Sequence, residues 1–313
     1  MSLQKINMED NVVKEMRKFI CAIFAFALVL SVSASVVFAE DQPAATSAAP
    51  ESAAPAAPAA PAVTGSAAMS VLSHYVFRGY ELSAKSVVFQ PSLTINYSGF
   101  SANLWSNIDS KEHATRDITF VSPGRGHNNY NETDLTLSYT YNIDKLALTG
   151  GYIYYDTQYA PETGEVFISG TYDMIAHPTL AIYRDVYHYP GTYFNLSFSQ
   201  SIPVYKMANG DVTVDLGASF GYEAGSSNYW DTYVANKGYV GSKYSALHDG
   251  MTKVGLTLPV TKMLSVQPVV QYWFPLSSDA SKKVIDHSGL NSYNPNGRLS
   301  ETFVAGANLT FSF

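Results

Sequence analysis

The chain closes on an alternating run that severely limits what it can fold into. Phe303, Ala305, Ala307, Leu309, Phe311 and the final Phe313 share one parity. Thr302, Gly306, Asn308, Thr310 and Ser312 share the other. A strand that is oily on one face and small and polar on the other has the pattern of a transmembrane β-barrel strand, with lipid on one side and a lumen on the other. A last strand that ends on an aromatic also fits the tag read by the barrel assembly machinery, an expected partner through Phe313. Function is then expected in the lumen and the surface loops.

The N-terminal region agrees with export. Arg17-Lys18 precede an apolar run from Phe19 to Leu30, and Val37-Phe38-Ala39 supplies a small-residue cleavage site. That is the layout of a secretory signal peptide over residues 1–39, with Met16 the expected true start. The run is shorter than the roughly 20 residues a spanning helix needs. Cys21 is the only cysteine and falls inside the signal, so the expected mature chain has no disulfide or thiolate chemistry. Residues 40–65 are rich in Ala and Pro, as in Ala53-Ala54-Pro55-Ala56-Ala57-Pro58. Repeated proline blocks helix and favours extended chain, so this stretch reads as a linker.

Residues 66–313 remain for one folded unit. Aromatic residues make up 13% of the chain and charged residues only 14%, which suits aromatic girdles and an uncharged wall. Removing residues 1–39 takes away Lys5, Lys14, Arg17 and Lys18 with Glu9, Asp10 and Glu15, leaving 15 basic against 23 acidic residues, net −8. An acidic, unpatterned balance gives nucleic acid no footprint.

Period-two segments recur throughout. Phe89, Leu93, Ile95 and Tyr97 alternate with Gln90, Ser92, Thr94 and Asn96; Leu135, Leu137, Tyr139 and Tyr141 alternate with Asp134, Thr136, Ser138 and Thr140. Twelve strands are expected, at about 67–78, 86–97, 99–109, 132–143, 146–156, 166–176, 179–188, 192–202, 211–223, 251–260, 263–274 and 301–313. Long links at 110–131, 157–165, 224–250 and 275–300 follow odd-numbered strands. Short ones such as Ser98-Gly99, Asp144-Lys145 and His177-Pro178 follow even ones. That asymmetry is the short-periplasmic, long-extracellular pattern of an antiparallel up-and-down barrel in the outer membrane of a Gram-negative bacterium. Closure leaves no unpaired edge in lipid. Pro91 and Pro268 fall mid-strand, where a missing N–H suggests a bulge.

Some of these segments resemble a family. Ser73-His74-Tyr75-Val76-Phe77-Arg78-Gly79, then Gly99-Phe100 with Trp105-Ser106-Asn107-Ile108-Asp109, and His177-Pro178-Thr179-Leu180-Ala181-Ile182-Tyr183-Arg184-Asp185 are similar to a proteobacterial family of uncharacterised outer-membrane-type β proteins. That family has an early Y-x-F-R-G element and prefers serine where this chain has His177. The resemblance implies the barrel and carries no catalytic residues with it.

The chemistry-bearing residues are sparse. The histidines form no H-E-x-x-H and no i, i+4 pair, so neither metal nor cofactor is expected. His113, His127 and His287 fall in long links. Gly124-Arg125-Gly126 lacks the Lys-Ser/Thr of a phosphate loop. A lipid-hydrolase arrangement would need Ser and His outward on neighbouring strands; His248-Asp249 lies near a strand start, but no spacing singles it out, and no enzyme activity is expected. Asn128-Asn129-Tyr130-Asn131 and Asn291-Ser292-Tyr293-Asn294 could stack on sugars or be ordinary loop sequence. The inward parity is more informative: Gln90, Asn103, Asp134, Asp173, Asp215, Lys253, Gln267 and Gln271 are the candidate lumen lining, with Trp105, Asn107 and Asp109 beside them. A polar lining must be hydrated, as in a channel, or paired internally as a plug, for example by aspartates with Arg78 or Arg184. About twelve strands leave a narrow pore at most. Expected functions are passive passage of small polar solutes or ions, or a closed barrel acting through its loops.

Overall fold

The computed structural model describes residues 62–83, 85–112, 128–158 and 160–313. The signal peptide, all but the last residues of the linker, His113, His127 and Gly124-Arg125-Gly126 lie outside the described residues. The strands are β1 (Thr64–Leu72), β2 (Tyr75–Phe77), β3 (Tyr80–Ser83), β4 (Val88–Tyr97), β5 (Phe100–Asp109), β6 (Asn129–Ile143), β7 (Leu146–Thr157), β8 (Thr163–Tyr172), β9 (Thr179–Asp185), β10 (Gly191–Met207), β11 (Gly210–Gly225), β12 (Asp231–Val234), β13 (Gly238–Lys243), β14 (Ser245–Pro259), β15 (Leu264–Pro275), β16 (Lys283–Asp286), β17 (Gly289–Ser292) and β18 (Thr302–Ser312). Twelve of them close a barrel in the order β1-β18-β15-β14-β11-β10-β9-β8-β7-β6-β5-β4. Every neighbouring pair is antiparallel, and β1 closes the ring against both β4 and β18.

The period-two pattern sorts the wall as read from sequence. Phe89, Leu93, Ile95 and Tyr97 of β4 are exposed outward, as are Leu135, Leu137, Tyr139 and Tyr141 of β6 and Phe303 of β18. A soluble monomer rarely exposes a contiguous apolar area beyond a few hundred Å². A continuous apolar belt around a closed sheet needs lipid as its solvent.

Short turns gather at one end with both Thr64 and Ser312. Ser98 and Gly99 link the paired Tyr97 and Phe100, with φ of 49° and 88°. Two positive φ values make the type I′ turn whose twist matches a hairpin. The link at His177-Pro178 is longer than expected, covering 173–178, with Ala176 and His177 at positive φ. Gln200 Oε1 accepts from the Ala176 N–H at 2.9 Å, folding the turn against β10.

Pro91 and Pro268 do lie in strands, but no bulge accompanies them. Around Pro91 the register runs from Phe89↔Ile108 to Ser92↔Trp105, and around Pro268 from Gly255↔Val269 to Leu258↔Val266, three residues on each side both times. The missing donor interrupts one ladder locally and leaves the register intact. The shifts in the described wall occur elsewhere, at Pro203/Tyr205, Phe220/Tyr222 and Asn107/Ile108.

The long-loop end carries structure the alternation does not reveal. β12 pairs with β13, β16 with β17, and a one-turn helix α1 (Ser278–Ser281) is capped by Ser277 Oγ, which accepts from the Ala280 N–H at 3.2 Å. The first strand ends at Leu72, short of the expected 78. The chain leaves the wall there and β2 pairs with β3 as a separate hairpin. Its packing builds the dry cluster of Tyr75, Tyr80, Leu82, Val88, Ala280 and Leu299.

Candidate functional site

The hairpin turns on Arg78-Gly79, with φ of 47° and 78°, between the paired Phe77 and Tyr80. This is the same two-residue geometry as Ser98-Gly99, and here glycine is obligatory. A Cβ at Gly79 would lie 2.8 Å from both Asp249 Cβ and Leu299 Cδ1. The hairpin root is fixed to the wall. Ser73 Oγ accepts from the Ala305 N–H at 3.0 Å and bonds His74 Nδ1 at 2.9 Å, while His74 Nε2 lies 3.5 Å from Glu81 Oε1.

From that root the hairpin crosses the lumen. Arg78 Nη1 and Nη2 donate to the two carboxylate oxygens of Glu165 at 2.8 and 2.7 Å. Its guanidinium lies over Tyr193 at 4.3 Å, Phe77 at 4.9 Å and Tyr183 at 5.0 Å. Glu165, Tyr183 and Tyr193 belong to β8, β9 and β10. In the ring, β9 stands six strands from β1 in either direction. Twelve tilted strands about 4.8 Å apart enclose a ring roughly 24 Å across between backbones. Five extended residues cover about 17 Å of that, and the arginine side chain spans the remainder.

The wall receives the tip with further hydrogen bonds. Tyr155 OH donates to Glu165 Oε2 at 2.9 Å, and Tyr193 OH donates to Asp249 Oδ1 at 2.9 Å. Asn294 Nδ2 donates to Tyr80 OH at 2.5 Å. Tyr75 packs on Trp105 with ring centroids 5.5 Å apart. A guanidinium is always charged, so the bidentate carboxylate and the π faces are what make this burial tolerable.

The candidate lining falls into several groups. Gln90 belongs to a buried amide relay at the hairpin level: its Nε2 donates to Asn107 Oδ1 at 3.0 Å, and Asn107 Nδ2 donates to Asn131 Oδ1 at 2.7 Å. Asp134 is on the same inward face of β6, with one oxygen buried and unpaired. Asp215, Gln267, Asn103 and Lys253 lie nearer the short turns and are half-buried. Asp215 accepts from Ser201 Oγ at 2.6 Å, Thr213 Oγ1 at 3.1 Å, Thr257 Oγ1 at 2.5 Å and Gln267 Nε2 at 2.8 Å. Gln267 Oε1 in turn accepts from Asn308 Nδ2 at 2.8 Å, which extends the belt over five adjacent strands. Asn103 Nδ2 donates to Thr94 Oγ1 at 2.8 Å, and Gln271 Oε1 accepts from Trp273 Nε1 at 2.9 Å. Lys253 covers Gly217, where a Cβ would approach its Cε to 3.3 Å. Asp173 is displaced: β8 ends at Tyr172, and the aspartate stands in the turn with its side chain 74% exposed, 3.5 Å from His177 Nδ1.

Arg78 pairs with a glutamate, not with an aspartate. Glu165 was missed because the expected strand began at 166, whereas β8 begins at Thr163. Arg184 donates instead to Thr192 Oγ1 at 3.1 Å. His248 is fully buried and meets Tyr244 OH at 2.8 Å through Nδ1, so it faces no nucleophilic serine on the outer wall.

Above the hairpin lies a cavity of about 140 Å³, between its tip and the loops at Ala160-Pro161, Tyr189 and Tyr229-Trp230. Tyr229 OH donates to Asn296. Burial first, and then the neighbouring Tyr189, push the Tyr229 phenol above its usual range, so it remains a neutral donor.

Closed antiparallel wall, apolar belt and divided ends together define a β-barrel of the outer-membrane type, with its lumen crossed by its own hairpin. No family model and no curated protein sequence matches the chain. Among solved structures it is similar to the anion-selective porin from Comamonas acidovorans, at 9% identity and a TM-score of 0.31, covering 81% of this chain and 99% of that one. It is also similar to OprB of Pseudomonas putida at high pH, at 12% identity and a TM-score of 0.29, covering 73% and 60%. A structure from work on in-meso crystallization of membrane proteins gives 11% identity and a TM-score of 0.40, covering 80% and 84%. The assignment rests on this chain's own closed sheet and apolar outer face.

Proposed function

We propose that the protein is a narrow outer-membrane pore for small polar solutes or ions, shut in this state by hairpin 75–83. The observation that carries the reading is the Arg78–Glu165 ion pair spanning the lumen above a half-exposed polar lining. A barrel with a purely structural role has no need of a hydrated polar interior, and the hairpin is a discrete element that can leave the lumen without breaking the wall ladder. The second reading is a closed barrel that binds partners through its loops. It draws support from the dry packing of the hairpin against Ala280 and Leu299.

Single-channel recording on the full chain refolded in a planar bilayer separates the two. The pore reading expects rare openings for wild type and frequent ones for Arg78→Gln with Glu165→Gln. Correctly folded but silent wild type and variant would overturn it in favour of the closed barrel. Export fits the same reading, with cleavage after Ala39 and assembly in lipid through the strand ending in Phe313. N-terminal sequencing of protein recovered from outer membranes should begin at Glu40.

A further inference from the structure

We infer that the cavity above the hairpin is a binding site for a small organic ammonium ion at the extracellular mouth. This rests on the outer-membrane pore proposed above, with its long loops facing outward, and names the ligand class its mouth selects. Four carboxylates, Glu132, Glu165, Asp185 and Glu223, line the cavity, against one cation, Arg78. Three of the four are already answered, and Glu132 is one of them. Glu165 is taken by the Arg78 guanidinium. Asp185 accepts from Thr163 Oγ1 at 2.6 Å, the Tyr187 N–H at 2.9 Å and the Tyr189 N–H at 3.0 Å.

Glu223 is different. It is 4% exposed and lines the cavity, and among the described residues no side-chain donor meets its carboxylate. A buried carboxylate without a matched cation is costly, and a cationic guest would remove that cost.

The walls fit such a guest. Tyr229 lies 4.5 Å from Tyr189 at an interplanar angle of 51°, and 5.4 Å from Trp230 at 88°. Rings set at large mutual angles form a box, which suits a compact cation over its π faces; a flat sugar or base would want parallel platforms. Gly191 makes the box possible, because a Cβ there would come within 2.7 Å of Trp230 Nε1 and 2.9 Å of Glu223 Oε1. At about 140 Å³ the space matches cavities known to hold a ligand of roughly benzene size.

The test is calorimetric titration of the full chain folded in detergent with choline and with its uncharged carbon isostere, 3,3-dimethylbutan-1-ol. Choline is expected to bind saturably and at least tenfold more tightly than the isostere. Glu223→Gln and, separately, Tyr229→Leu should each weaken choline at least tenfold, while Lys206→Ala at the far end leaves it unchanged. Equal binding of the two probes, or saturable binding of neither, would overturn the site. So would unchanged affinity in both cavity variants. Choline binding by a barrel that never conducts would sink the pore and keep the cation site; conductance without binding would do the reverse.

Discussion

Asn103 and Asn107 lie on the same face of the same strand, four residues and about 13 Å apart, yet they belong to different environments. Asn103 is half-exposed and, among the described residues, bonds only its neighbours Thr94 and Leu93. Asn107 is fully buried, passing a hydrogen bond from Gln90 to Asn131. The same division runs around the ring. At the short-turn end, polar side chains hydrate or pair locally, as Asp215 does. At the long-loop end the hairpin fills the lumen, and Asp109, Glu165, Glu223 and Asp249 are all buried. One polar face therefore serves two purposes: a solvated wall below, and a receptor for the chain's own hairpin above.

Substitutions should separate these halves by size of effect. The largest loss is expected from Arg78→Ala, which leaves Glu165 buried without its cation, at about 3–5 kcal/mol of stability. Denaturant unfolding in detergent measures it, and adding Glu165→Gln should recover part of the loss. Gly79→Ala follows at about 3 kcal/mol, from the left-handed backbone and the crowding against Asp249 and Leu299. Asn107→Ala should cost about 2 kcal/mol by orphaning two buried amides. Asp215→Asn, in the wetted half, should cost less than about 1 kcal/mol, because water can replace what the carboxylate accepted. An Asp215 effect as large as that of Arg78 would erase the distinction between the halves.

The barrel itself was legible because a wall between lipid and lumen imposes period two on every strand, and twelve strands follow from counting those runs. The hairpin was not. Tyr75 and Phe77 continue the parity of Met69 and Val71, so nothing in the alternation marks the point where the chain leaves the wall at Ser73-His74. The Arg78-Gly79 pair was the available signal, a turn-forming dipeptide between apolar residues of matching spacing. Asp173 was misplaced for the converse reason: the parity of β8 carries on past Tyr172 into a turn. Glu223 shares the polar parity of Asp215 but stands at the end of its strand, where a glutamate is ordinarily solvated; here it is buried beside Gly191 and Trp230.

The most direct test of the divided lumen is thiol labelling of Asn103→Cys and Asn107→Cys, each in a Cys21→Ser background, with a charged, membrane-impermeant reagent on the folded barrel. The account expects Asn103→Cys to react readily and Asn107→Cys to stay protected until the protein is unfolded. Equal labelling at both positions would show that water fills the lumen past the hairpin, and the closed long-loop half would have to be abandoned.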